Sequence, residues 1–296
     1  MIEEYLEQLK QILVKHHYDD VDNAISYMRE FAQDRKELGE SEESIFASFG
    51  DINETASSIL GEEVKNADVS SHLKEINAEL VSADLTIDEA NVSDVEVSYT
   101  DDKRFTITDK DGVLTIKEKK KEHNFFFGFK KAEVIIRVPV GYSVESSHLE
   151  GVSSDIHMDH FNTTTLHIET VSGDVKLKRS ESEKLTAECV SGDTDIQDCS
   201  IKKIEIDSVS GDIEIKNVKA DQIFTESVSG DTEIKNTTFD HVHGTSTSGD
   251  VEVVATEPKE NYNVQLDKLF HSKEYGTGVK SIKLETTTGK LDVDFK

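Results

Sequence analysis

The sequence predicts a multidomain α plus all-β chain: a small helical bundle over residues 1–64, a linker over 65–75 and a β-solenoid, parallel β-helix-like, over 76–296. Three observations predict it. Apolar residues recur at helical spacing before residue 64, and a Ser-Gly-Asp tripeptide recurs at one fixed interval after residue 150. Around each copy of that tripeptide, apolar and polar residues alternate.

Residues 1–64 carry four helical segments. Ile2, Leu6, Leu9 and Leu13 share one face of the first; Val21, Ile25, Met28 and Phe31 share one face of the second. Between them "HHYDD" is a break, with Asp19 or Asp20 as the N-cap. Gly39 closes the second helix, and Ser41 opens a short third one bearing Ile45, Phe46 and Phe49. Gly50-Asp51 reads as a stop followed by a start. Glycine suits the left-handed position after a helix, and Asp51 with Glu54 forms a capping-box pattern. The last helix buries Ile52, Ala56, Ile59 and Leu60 and ends at Gly61. A segment this short buries only a marginal core, so it reads as an independent bundle or as a docking module for another protein.

Aligned on the residue before Ser-Gly-Asp, the repeats begin at Val152, Val171, Val190, Val209, Val228 and Thr247, each 19 residues after the last. The first copy reads Ser-Ser-Asp. "ETTTGKLDVDF" is a degenerate later copy with Lys290 in the Asp place, and "LVSADLTID" (Leu80–Asp88) is an earlier one. Constant spacing makes each copy one structural unit stacked on its neighbour. Before the turn come Leu166/Ile168, Leu185/Ala187, Ile204/Ile206 and Ile223/Thr225; after it come Val175/Leu177, Ile213/Ile215 and Val251/Val253. Such alternation means strands with one buried face. The facing resets at Ser-Gly, so the tripeptide is a corner, and unusual backbone angles are the expected reason for its glycine. The period predicts about ten to twelve coils at ~4.8 Å each. A β-sandwich is the alternative; the single spacing and the scarcity of Asn-Gly or Asp-Gly hairpin signals disfavour it.

Two family resemblances accompany these elements. "SEESIFASFGDINETASSIL" resembles the Gly-Asp-x-x-x-x-Ala-x-x-Ile ending of the HAAS family of small helical signalling domains, over nearly all of residues 1–64. Ile76 to Lys296, including "VIIRVPVGYSVESSHLEGVSSDI", resembles a bacterial adhesin-type β-repeat family with serial Ser-Gly-Asp-Ile turns. Val138-Pro139-Val140 departs from the Leu-Pro-Lys-like turn of that family. The combination resembles LiaX-type envelope-stress proteins. It implies a role in the Gram-positive cell-envelope stress response, with residues 1–64 docking a regulator or envelope-stress sensor.

Several residues are candidates for binding. Stacking places Asp155, Asp174, Asp193, Asp212, Asp231 and Asp250 in one column, and Glu169, Glu188, Asp207 and Glu226 in a second, outward one. Like charges about 5 Å apart repel unless satisfied locally or screened by a cation. The favoured reading is turn chemistry, with the Asp carboxylate accepting N–H bonds. The other is a Ca²⁺ ladder on Asp174, Asp193, Asp212, Asp231 and Asp250, against which stands the single Gly and single turn Asp per repeat. "KEKKKEHNFFFGFKKAEV" sets Phe125, Phe126, Phe127 and Phe129 among lysines that include Lys130 and Lys131. It reads as a cap over the first coil or as a contact for a partner or an anionic membrane surface. His157, His160, His241 and His243 lie in distant repeats and read as surface residues, and Cys189 and Cys199 as free thiols.

With 61 acidic against 33 basic side chains and a formal net charge of −28, the chain repels phosphate backbones, which excludes broad nucleic-acid binding and favours cationic partners. The start "MIEEYLEQLK" has no signal-peptide pattern, and no run is long and apolar enough for a span, so a cytoplasmic, membrane-associated protein is expected. No nucleophile elbow, phosphate loop or zinc-protease motif is present, and no cofactor or catalytic residue is expected. The function expected is thus non-enzymatic signalling or scaffolding, with a ligand or partner surface on the solenoid. The alternatives are a surface-exposed, adhesin-like protein binding cationic antimicrobial peptides and a carbohydrate-active β-helix enzyme using paired carboxylates.

Overall fold

The computed structural model describes residues 1–15, 21–60, 65–70, 72–100, 104–119 and 132–296. They fall into two compact units, one built on the N-terminal helices and one on the β-coils.

The helical unit comprises α1 (Ile2–Lys15), α2 (Val21–Glu37), α3 (Glu42–Phe49) and α4 (Ile52–Leu60). Leu6, Leu9 and Leu13 of α1 and Ile25 and Met28 of α2 are buried with Ile45, Phe49, Ala56 and Ile59, as their spacing demands. One polar link sits within this apolar cluster. The Tyr5 hydroxyl lies 2.7 Å from Thr55 Oγ1, which donates to the Phe49 carbonyl at 2.8 Å, while the Tyr5 and Phe49 rings stack at 5.2 Å. Ser41 caps α3 by accepting from the Ser44 N–H, and Asp51 does the same for Asn53 at the start of α4. Gly39 and Gly50 both take positive φ. The proposed cap at Asp19 or Asp20 and the stop at Gly61 lie outside the described residues.

The β unit consists of an eleven-stranded and a twelve-stranded sheet. Each coil gives one strand to each sheet, and in the repeat region all neighbours are parallel. In one sheet Leu166, Leu185, Ile204, Ile223, Val242 and Ile282 are partners in turn. In the other the sequence is Val175, Thr194, Ile213, Thr232, Val251 and Leu291. The inward residues of the two sheets form the core, with Ile168, Ile204, Ile206, Ile215 and Ile234 fully or almost fully buried. This is the solenoid that the fixed spacing predicts.

Coil order is not chain order at the N-terminal end. The coil of Glu75–Leu80 and Asp84–Ala90 pairs on one side with Ser143–Gly151 and Ile156–Asp159. On its other side it pairs with Val113–Glu118 and Glu133–Pro139. The chain therefore leaves the stack after Ala90, builds the outer coil and returns. Antiparallel strands, Glu96–Tyr99 and Phe105–Lys110, cover that outer coil, so its edges are paired. At the far end Tyr262–Lys268 lies parallel to Lys280–Thr286 and carries the antiparallel strand His271–Tyr275. Lys65–Ala67, within the expected linker, is an edge strand of the eleven-stranded sheet.

Candidate functional site: the stacked corner

Each repeat turns at Ser-Gly-Asp, and the glycine is required for a reason other than the one expected. None of the corner glycines has positive φ; that conformation belongs to Gly39, Gly50, Gly112, Gly141 and Gly276. The constraint is the neighbouring coil. A Cβ on Gly211 would lie 1.8 Å from the Gly192 carbonyl oxygen, and one on Gly230 would lie 1.9 Å from that of Gly211. Backbones stack too closely there for any side chain. The first copy solves the problem by exchange, since Ser154 takes the glycine position while Gly151 occupies the place of Ser208 and leaves room for it.

Hydroxyl groups fasten the turn from inside. Gly211 N–H donates to Ser208 Oγ at 3.2 Å, Gly230 to Ser227 at 3.0 Å, Gly249 to Ser246 at 2.8 Å and Gly289 to Thr286 at 3.0 Å. Cys189 occupies the same column, buried, with Sγ 3.3 Å from Thr194 Oγ1. Cys199 is also buried, which pushes its thiol up to about 11 and makes it unsuited to nucleophilic chemistry.

The Asp column is a ladder. Asp155 Oδ1 accepts the backbone N–H of Asp174 at 3.0 Å, Asp174 that of Asp193 at 3.0 Å, and Asp193 that of Asp212 at 3.0 Å. Asp212 and Asp231 continue it to Asp250, whose Oδ1 accepts from Lys290 N–H at 2.7 Å. The N–H acceptance expected of these side chains is thus made between coils, where it offsets the repulsion within the column.

At the N-terminal end the ladder of corners meets an outer coil without a Ser-Gly-Asp turn. Glu118 fills the gap. Its carboxylate accepts the N–H groups of Val81, Ser82 and Ala83 at 2.6, 2.8 and 3.0 Å, plus the Ser82 hydroxyl. Burial alone would raise its pKa, but those donors outweigh it and hold the carboxyl below its ordinary value.

A second corner closes each coil. His160, Arg179, Asp198, Asn217 and Asn236, again 19 apart, all adopt positive φ. Asp and Asn tolerate that left-handed conformation, and their recurrence at this interval was a readable signal.

The outside of the Ser-Gly-Asp corner is a surface of parallel columns. Val152, Val171, Val190, Val209 and Val228 stack there, each 46–47% exposed, although apolar side chains are normally turned inward. Two residues before them runs the register-matched column Glu150, Glu169, Glu188, Asp207 and Glu226; three residues after them runs the Asp ladder. Burial and the neighbouring Glu188 and Glu205 raise the pKa of Asp207, a sign of the crowding of negative charge.

Other candidate residues disperse. His241 meets Ser281, His243 lies 3.7 Å from Glu285, and His160 pairs with Asp159. Phe125, Phe126, Phe127, Phe129, Lys130 and Lys131, which the chain places between the strands Val113–Glu118 and Glu133–Pro139, lie outside the described residues. Among the described residues the one three-ligand grouping of His, Cys, Asp or Glu is His148, His167 and Glu169, which sequence reading passed over. Its signal was "HLE" and "HIE" at the repeat interval. Among those residues no helix is long and apolar enough to cross a membrane.

Residues 73–268 match the family described as Toastrack DUF4097. No curated protein matches the sequence. Among solved structures, a "putative adhesin" from Parabacteroides distasonis ATCC 8503 is 19% identical, with 79% of this chain and 98% of that chain covered at a TM-score of 0.54. A "putative lipid binding protein" from the same strain is 17% identical, with 78% of this chain and 96% of that chain covered at a TM-score of 0.51. These likenesses are of fold. On the family match, which spans the stacked corners and their cap, the chain belongs to the Toastrack DUF4097 family.

Proposed function

We propose that the protein is a non-enzymatic binding protein of the Gram-positive cell-envelope stress response, in which the β-coils hold a cationic, amphipathic ligand and the N-terminal helices dock a regulator or sensor. The observation that carries the ligand class is the exposed valine column set between two acidic columns. Apolar side chains half exposed in a continuous row favour an apolar partner face. Carboxylates on both flanks select lysine or arginine beside it and speed its approach. Five valines at ~4.8 Å spacing span about 19 Å, the length of roughly 13 residues of helix. The resemblance of residues 1–64 to HAAS domains supports the assignment of the helices.

In this reading the chain works in the cytoplasm close to the membrane, and the ligand is a basic segment of a protein partner. Occupation of the coils alters the availability of the helices. The same face suits the second reading, exposure at the cell surface and capture of cationic antimicrobial peptides; cell fractionation followed by crosslinking and mass spectrometry separates the two. The binding surface itself is tested with photo-crosslinkers. One placed at Val190 labels a cationic amphipathic peptide, whereas one at Asp195, beyond the corner on the other sheet, does not; equal labelling contradicts the proposal. Deletion of residues 1–64 abolishes capture of the regulator with the β unit still folded, and retained capture removes the helices from the scheme.

A further inference from the structure

The outer face of the twelve-stranded sheet carries a square of ligands near its N-terminal end. His148 and Glu150 are two residues apart on one strand, so both point outward; His167 and Glu169 repeat this on the next strand. The parallel register pairs His148 with His167 and Glu150 with Glu169. The imidazole rings stack with centroids 4.7 Å apart and planes 17° from parallel. In each strand the His Nε2 lies 2.7 Å from the Glu Oε1, so each ring nitrogen faces the carboxylate of its own strand. The ligand atoms of His148, His167 and Glu169 already lie within 4.8 Å of one another.

We propose that this square binds one divalent transition-metal ion, with Zn²⁺ the best match. Two imidazoles and one or two carboxylates are a borderline-soft donor set, which suits Zn²⁺ and its neighbours over Ca²⁺ or Mg²⁺. Tetrahedral Zn²⁺ with bonds of about 2.0–2.1 Å sets its ligands roughly 3.4 Å apart. These side chains are 31–49% exposed, so small rotamer changes close the remaining distance.

Charge argues for the same occupant. Three carboxylates elsewhere on this face are compensated by lysine: Glu205 by Lys184 and Lys203, Glu183 by Lys202, Glu79 by Lys117. Among the described residues Glu150 and Glu169 have only the two imidazoles as side-chain partners. The strand partners flanking the histidine pair are Asn77 and Thr186, neither of them basic. The two carboxylates beside the stacked rings carry a charge that one dication neutralises.

The test is isothermal titration of the tag-free full chain with Zn²⁺, and again with Ca²⁺. Wild type takes up one Zn²⁺ per chain, does not bind Ca²⁺ at this site, and shows imidazole nitrogen in the metal's X-ray absorption spectrum. The double variant H148Q/H167Q loses affinity by about tenfold or more, while H241Q/H243Q, which alters two histidines elsewhere, binds as wild type does. Both variants change exposed side chains and are checked for an unchanged circular dichroism spectrum. Stoichiometric binding that survives H148Q/H167Q, or no binding by wild type up to about 1 mM Zn²⁺, overturns the proposal.

Discussion

Replacing Gly211 by alanine adds one methyl group where the structure has no room for it. The new Cβ would sit 1.8 Å from the Gly192 carbonyl oxygen and 2.5 Å from its carbon, whereas real Cβ contacts essentially never fall below 3.0 Å. The two coils would have to part by more than about 1 Å at this corner, and stiff close-packed backbones yield little. Four hydrogen bonds cross that gap. Val209 N–H to Cys189 and Ser210 N–H to Val190 each measure 3.0 Å, as does Asp212 N–H to Asp193 Oδ1, and Thr194 N–H to Asp212 measures 2.9 Å. Losing three or four of them at about 1 kcal/mol each gives a destabilisation of roughly 3–4 kcal/mol. Urea unfolding of the full chain reads the total. Hydrogen exchange followed by mass spectrometry localises it: peptides around residues 189–213 lose protection, and those of the last coils keep it. Ser210→Ala, an exposed position in the same turn, is the control and stays within about 0.5 kcal/mol of wild type. G211A within that same margin would refute the view that close stacking, with no need for special torsions, selects the glycine.

Other positions give further tests. Glu118→Gln keeps an acceptor oxygen but removes the charge that three backbone N–H groups share, and costs about 1–2 kcal/mol at pH 7. Because the folded carboxyl titrates below its ordinary value of 4.5, this advantage is complete above that pH and is lost as pH falls through the folded value. Thermal melts of wild type and E118Q should therefore converge in acid; a constant difference would assign the effect to shape alone. Arg179 holds a left-handed φ of 47° at the second corner, where Asn217 and Asn236 serve in later coils. Its exposed ion pair with Asp159 is worth little, so Arg179→Asn raises stability by about 0.5–1 kcal/mol in urea unfolding.

What the sequence shows depends on how far apart the interacting residues are. The solenoid was legible because one 19-residue unit repeats its alternation and its Ser-Gly-Asp turn in five successive coils. "LVSADLTID" was legible as a copy, but its neighbours were not. It stacks on a coil 71 residues downstream, and on an outer coil whose corner is absent, through contacts that no local pattern records. Glu118 ends an ordinary alternating strand, and only the tertiary arrangement puts it under the orphaned N–H groups of Val81–Ala83. The corner glycine was recognised, but its reason was missed, because the clashing atom belongs to the residue 19 places away. The histidine square was hidden for the same cause: "HLE" and "HIE" are ordinary strand segments until register sets them side by side.

The binding surface is the centre of the functional proposal, and the valine column tests it most directly. The measurement is the affinity of a fluorescently labelled cationic amphipathic peptide for wild type and for the triple variant Val171→Ser, Val190→Ser, Val209→Ser. The three side chains are half exposed, so the fold tolerates the change while the apolar row is interrupted at its middle. The account predicts at least a tenfold loss of affinity for the triple variant, and weaker binding to wild type as salt screens the acidic flanks. Equal affinity for the two proteins would contradict it.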